Sequence, residues 1–222
     1  MLCIPIIAQD TKGAIKKISE AEAHADIIEV RLDLMQSFNL TDIIASTGRQ
    51  VIVTYRSIKE GGKGTHTPLE VADLLISAAE ANADYIDVEL SMPLELRSKV
   101  IQNRNESRII ISAHLMDHTP SGEKLKSLLD ESIRANGDIV KIVTMANSMD
   151  DNLRMLELVF EARKRNVEII AFCMGPIGRM SRIFSLLLGG YLTFTSLDTG
   201  EESAPGQISV NEMRRLIEYF KA

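Results

Sequence analysis

Eight short runs rich in β-branched residues alternate with eight longer amphipathic stretches along this 222-residue chain. That alternation predicts an α/β fold, a (β/α)8 or TIM barrel. Two further observations point the same way. No long linker or change of composition interrupts the series, and successive parallel strands need a crossover helix between them. One barrel domain over residues 1–222 is therefore expected, in a chain short for a fold that typically takes about 250 residues. A doubly wound open sheet would compete, but no Gly-x-Gly-x-x-Gly follows the first strand, and EGGKGTHTP (60–68) lacks the spacing of a Walker loop.

In order, the strand at 2–8 leads to a helix at 12–25, and the run IIEVR at 27–31 to one at 40–46. QVIVTY at 50–55 leads to 69–82, where Pro68 reads as a first-turn proline, and YIDVE at 85–89 leads to 94–102 through Pro93 in the same way. RIIISA at 108–113 precedes a helix at 123–136 that Asn136-Gly137 closes. IVKIVT at 139–144 leads to 151–166, EIIAFC at 168–173 to 179–188, and LTFTS at 192–196 to 210–220.

Composition narrows the function. A hydrophobic content of 45% suffices for a sizeable core, and a net charge of −6 with pI near 5.3 argues against a nucleic-acid-coating surface. An anionic small molecule still fits if cations gather locally. Cys3 and Cys173 are too few for a disulfide framework and read as buried fillers. The segment MLCIPIIAQD lacks the charged head and apolar length of a signal peptide, and no apolar run is long enough to span a membrane. A cytoplasmic protein without membrane partners is expected.

In such a barrel the carboxyl ends of the strands line the active site, so polar residues there are the candidates. The strand ends read IIEVRLD, VTYRS, YIDVE and IIISAH, and the sixth strand carries Lys141. Alternation puts Glu29, Arg31 and Asp33 on one face, Asp87 with Glu89 on another, and Lys141 beside Ile139 and Val143. Taken singly, Arg31, Asp33, Asp87 and Glu89 read as solvated strand ends, or as a structural pair of Glu29 with Arg31. Lys141 differs because it lies inside the apolar run, and lysine is among the residues least often buried.

A buried lysine is useful as a nucleophile. Desolvation and nearby cations would lower its pKa from about 10.4 and free the amine to form a Schiff base with a carbonyl. The protonated imine acidifies the neighbouring carbon, and His114 on the adjacent strand is the candidate base. FCMGPIGRMSR adds a glycine-bearing turn with Arg179 and Arg182 at a helix start, an arrangement suited to a carboxylate or phosphate. EESAPGQ (201–207) is a polar loop placed to fold over the mouth as a lid.

The segments EVRLD, YRSIKEGG, YIDVE, SAH, DIVKI, MGPIGRMSR and SAPGQ, in this order at successive strand ends, resemble type I 3-dehydroquinate dehydratase over essentially the whole chain. The resemblance implies dehydration of 3-dehydroquinate to 3-dehydroshikimate through an imine, with no metal or cofactor, in a homodimer. It makes Lys141 the imine-forming lysine and His114 the general base and acid. Glu29, Arg31 and Arg56 would contact the substrate, with Glu60 on the histidine side. Arg182 would take the carboxylate, Met174 and Phe194 would wall the pocket, and Ser203 and Gln207 would close over it. Leu115 and Met116 depart from the family pattern, which has an acid or amide and then an aromatic after the histidine. Because the chain ends at Ala222, the fused dehydratase–dehydrogenase form is not expected. A class I aldolase or transaldolase would share barrel and lysine, and a metal-dependent lyase would use His114 with His118.

Overall fold

The computed structural model describes residues 1–197 and 203–221. Among these, eight strands alternate with eight α-helices. They are β1 (Leu2–Ile6), α1 (Thr11–Ala21), β2 (Ile27–Arg31), α2 (Leu40–Ala45), β3 (Gln50–Thr54), α3 (Pro68–Glu80), β4 (Tyr85–Glu89) and α4 (Leu94–Gln102), then β5 (Arg108–Leu115), α5 (Gly122–Arg134), β6 (Ile139–Met145), α6 (Met149–Lys164), β7 (Ile169–Met174), α7 (Arg179–Leu187), β8 (Thr193–Phe194) and α8 (Val210–Lys221). Short 3-10 turns at Leu32–Leu34 and Ile58–Glu60 were not expected.

All strand pairs are parallel, in the order β7-β6-β5-β4-β3-β2-β1-β8. The sheet curls into a nearly closed barrel, and the Tyr191 amide crosses the seam to donate to the Ile169 carbonyl at 2.7 Å. β8 is shorter than expected because its pairing with β1 ends where the Thr195 amide donates to Cys3 O, after which the Ser196 amide donates to Ile208 O and the Val210 amide returns to Ser196 O.

Three helix ends share one cause. Helices expected to run to 82, 136 and 166 stop two residues earlier, because Asn82, Asn136 and Asn166 turn left-handed with φ of 64°, 62° and 54°. Asparagine tolerates that region better than other residues with a Cβ and ends helices there. At the other end, Thr67 and Glu70 form a capping box before Pro68. Ser148 with Asp151 does the same for α6 and starts it at Met149, ahead of the expected 151.

The interior follows a period of two. Ile27, Ile52, Tyr85, Ile110 and Ile139 belong to the apolar cluster inside the barrel. Two residues further along the same strands stand Glu29, Thr54, Asp87, Ser112 and Lys141, all at most 4% exposed. Outward residues such as Val53, Ile86 and Ile109 pack instead against α1–α4, and Val140, Ile142 and Ala171 against α5 and α6. Alternation therefore sends a polar layer into the barrel just above an apolar one, where each polar group needs a partner.

Candidate active site

Charge pairing satisfies the buried polar layer. Lys141 Nζ lies 2.8 Å from Asp87 Oδ2 and 3.5 Å from Glu29 Oε1. Arg56 is the hub on the other side of Asp87. Its Nη2 donates to Asp87 Oδ1 at 2.8 Å, and its Nη1 to Ser112 Oγ at 2.9 Å and Glu89 Oε1 at 3.1 Å, with Glu60 Oε2 at 3.4 Å. Burial alone would raise Asp87, but Arg56 and Lys141 hold it well below the carboxylate range. The lysine's own charged contacts are carboxylates, which offset its burial, and the cation Arg56 binds the other oxygen of the same Asp87. This corrects the reading of Asp87 as a solvated strand end.

Arg56 is placed by a close approach. A Cβ on Gly62 would lie 2.1 Å from the Arg56 carbonyl oxygen, and one on Gly64 would lie 2.3 Å from the Tyr55 ring. The glycines of EGGKGTHTP thus let that loop fold back over Arg56, with the Gly64 amide donating to Arg56 O. They have a packing role. Arg31 pairs with Asp33, through Nε and Nη2 at 2.8 Å each, and not with Glu29 as the sequence suggested. Glu29 accepts instead from Thr54 Oγ1 at 2.9 Å.

His114 belongs to β5, which runs two residues beyond its expected end. In the β5–β6 register Ser112 lies beside Lys141 and His114 beside Val143, so the imidazole sits one step nearer the mouth than the lysine. Its Nδ1 lies 2.9 Å from Glu60 Oε2, which also accepts from the His114 amide at 3.1 Å. Burial, then Arg56 and Lys141, push the imidazole well below its ordinary value, so it is neutral. Burial raises Glu60 to about 7 against the pull of Arg56.

Arg182 is 1% exposed, in the first turns of α7. Its Nη2 donates to Pro205 O at 3.3 Å, while Nε and Nη1 have no protein partner. Burial without a counter-charge lowers the guanidinium to about 9. An anion at those two N–H groups would supply what the protein leaves out. Arg179, grouped with it from the sequence, is exposed and does not line the cavity.

The final loop reaches the same cavity. The Ser203 amide donates to Gln207 Oε1 at 2.7 Å, and Gln207 Nε2 donates to Ser203 Oγ at 2.9 Å. The Gly175 amide donates to Pro205 O, and Gly206, at φ 79°, packs where a Cβ would lie 2.2 Å from Gly175 O. Residues 201–202 of the expected lid, and Thr199 before it, lie outside the described residues.

One cavity is lined by Lys141, His114, Glu29, Arg31, Arg56, Glu60, Met174, Arg182, Phe194, Ser203 and Gln207, the whole set named from the sequence. Phe172 and Met116 line it too and were missed. Phe172 lies two residues before Met174 on β7, so alternation alone would have found it. His118 does not join His114: its side chain is 55% exposed and its Nδ1 bonds Asp117 Oδ1. Among the described residues no three His, Cys, Asp or Glu side chains group as a metal would need. No helix described is long and apolar enough to cross a membrane.

Comparison with known proteins agrees with this geometry. Residues 2–222 match the family model described as Type I 3-dehydroquinase. The chain is similar to the 3-dehydroquinate dehydratase of Methanococcus maripaludis strain C5, at 36% identity with 100% of both chains covered. It is 37% identical to that of Thermococcus onnurineus, over 96% of this chain and 95% of the relative. The Type I 3-dehydroquinate dehydratase from Clostridium difficile, solved with covalent modified comenic acid, superposes with a TM-score of 0.88 at 30% identity, covering 99% of this chain and 91% of that one.

Proposed function

Because the chain belongs to the type I 3-dehydroquinase family, we propose that residues 1–222 form one catalytic unit that dehydrates 3-dehydroquinate to 3-dehydroshikimate through an imine on Lys141. The observation that carries this reading is the pairing of opposites in one cavity. A buried lysine stands beside a neutral, carboxylate-held histidine, and the same cavity is lined by a guanidinium with two N–H groups unsatisfied.

The steps balance without an added reagent. The Lys141 ammonium gives up a proton to the neutral His114 as the ring ketone approaches, and the freed amine attacks the carbonyl carbon. The oxygen takes back that proton and one more from the nitrogen and leaves as water, so ammonium plus ketone becomes iminium plus water with no net change of proton. Asp87 and Glu29 hold a positive nitrogen at both ends of this step, as ammonium and as iminium.

His114 then removes a proton from the carbon next to the iminium, giving an enamine and an imidazolium. Glu60 at Nδ1 orients the ring and stabilises the charge that forms. The imidazolium returns its proton to the departing hydroxyl, so a second water leaves and a conjugated iminium remains. Attack by water at that carbon restores the ketone and the Lys141 ammonium. Arg182 binds the carboxylate in this scheme, and Ser203 and Gln207 fix the ring from the last loop.

Borohydride added during turnover tests the reading. It should inactivate the enzyme and leave the reduced ligand mass on the peptide containing Lys141. A label elsewhere, or none, removes the imine. The family likeness also leads us to infer a homodimer, read by sedimentation equilibrium as twice the chain mass.

A further inference from the structure

Two cations of the cavity each lie on an aromatic ring, and the two rings touch. The guanidinium carbon of Arg182 is 4.3 Å from the centre of the Phe172 ring. Lys141 Nζ is 4.5 Å from the centre of the Phe194 ring. Phe172 and Phe194 meet edge to face, 6.1 Å apart and inclined by 61°. The four groups run in series from α7 through β7 and β8 to β6, across the barrel seam.

Arg182 is an unusual guanidinium. It is almost fully buried, donates to one carbonyl, and leaves Nε and Nη1 without protein partners. A long side chain held this loosely would spend binding energy on being ordered each time an anion arrived. A carboxylate or water partner would order it, but would also occupy the N–H groups. A ring attracts the charge as a whole and takes up no N–H, so the donors stay available for a carboxylate. Phe172 is itself 3% exposed and fixed in β7, so it presents a rigid surface.

We propose that Phe172 is the positioning residue of the carboxylate site, its ring holding Arg182 aimed into the cavity with its donors unspent. The proposal rests on the reading of Arg182 as the carboxylate-binding residue. Phe172 makes no bond to a reacting atom, so it should act on substrate binding and leave the chemistry at Lys141 and His114 alone. Its contact with Phe194 ties the carboxylate end of the cavity to the ring beneath the lysine.

The test is steady-state kinetics with 3-dehydroquinate on Phe172→Leu, Phe172→Tyr, Arg182→Met and the double variant Phe172→Leu/Arg182→Met. Leucine keeps the apolar bulk and removes the ring. KM should rise about tenfold in Phe172→Leu, a desolvated cation–π contact, with kcat within about twofold of the parent. Phe172→Tyr should restore KM, and adding Phe172→Leu to Arg182→Met should raise KM no further. Should Phe172→Leu not fold, Phe172→Met repeats the experiment with another ringless apolar chain. If Arg182→Met raises KM but Phe172→Leu does not, the carboxylate reading stands and the role of Phe172 falls. If Arg182→Met leaves KM unchanged, the carboxylate reading fails and takes this inference with it. Equal losses of kcat from Phe172→Leu in both arginine backgrounds would make Phe172 a packing residue and overturn the proposal.

Discussion

Lys141 Nζ and Asp87 Oδ2 lie 2.8 Å apart inside the barrel, both side chains at most 5% exposed. Asp87 also takes Arg56, so one carboxylate compensates two buried cations. Asp87→Asn would leave Lys141 with Glu29 alone and Arg56 with Glu89 and Glu60, so the loss should reach at most the roughly 3–5 kcal/mol of a broken buried pair. Urea unfolding should show a loss within that bound. The parent's Asp87 is held below its ordinary 3.8, so its pairing contributes at every pH above that value and is lost only as pH falls further. The deficit of the variant should accordingly persist through neutral pH and shrink in acid.

Glu60 sets a pH dependence of the opposite sign. Its folded pKa, raised from 4.5 to about 7, means that folding favours the protonated form. Its contribution to stability is therefore complete below 4.5 and is lost as pH rises toward 7. Activity runs the other way, since only ionised Glu60 accepts the Nδ1–H of His114 and leaves the other ring nitrogen free to act as base. The specificity constant should rise with pH through about 7, and Glu60→Gln should flatten that limb while lowering the rate. An unchanged limb in Glu60→Gln would assign it to another group.

His114→Ala separates covalent capture from elimination. The lysine remains, so the imine should still form slowly, while proton removal loses its base. Turnover should fall by about 10²–10⁴-fold, with borohydride-trappable adduct accumulating. Mass spectrometry of the quenched variant checks this, and a variant that neither binds nor traps substrate would make His114 structural.

Gly206 links the final loop to the turn after β7. At φ 79°, with a Cβ destined for 2.2 Å from Gly175 O, Gly206→Ala combines left-handed strain of roughly 1–2 kcal/mol with a clash. The loop should shift and take Ser203 and Gln207 out of place. KM should rise with little change in the global unfolding midpoint, since the loop lies at the barrel mouth; a parent-like KM would detach this loop from substrate binding.

Hydrophobic periodicity and helix signals determined the barrel. A strand buried on both faces needs β-branched residues, and each crossover needs an amphipathic helix, so eight units are written locally. The same period of two grouped Glu29 with Arg31 and Asp33, and Lys141 with Ile139 and Val143, because side-chain alternation along a strand is a local property, while the closed barrel decided which face is the inside. Helix ends were less legible, since Asn82, Asn136 and Asn166 are helix-compatible by pattern and stop their helices through backbone conformation.

Partnerships were decided only by the tertiary structure. Asp87 and Lys141 are 54 residues apart in sequence, on β4 and β6 with β5 between them, and Glu60 reaches His114, also 54 residues away, from the 3-10 turn after β3, so which acid meets which base depends on how the strands curl into a barrel. Arg31 chose Asp33 over Glu29 because a 3-10 turn folds the acid back onto it. Arg182 and Arg179 look alike in MGPIGRMSR, yet Arg179, the first residue of α7, is exposed, while Arg182, one turn further into the helix, is buried at the cavity. The contact of Arg182 with Phe172 joins a helix to a strand, and no spacing along the chain encodes it. Sequence determines which side chains share a face; which face is the inside, and what each then touches, follow from closing eight separate strands around a common axis.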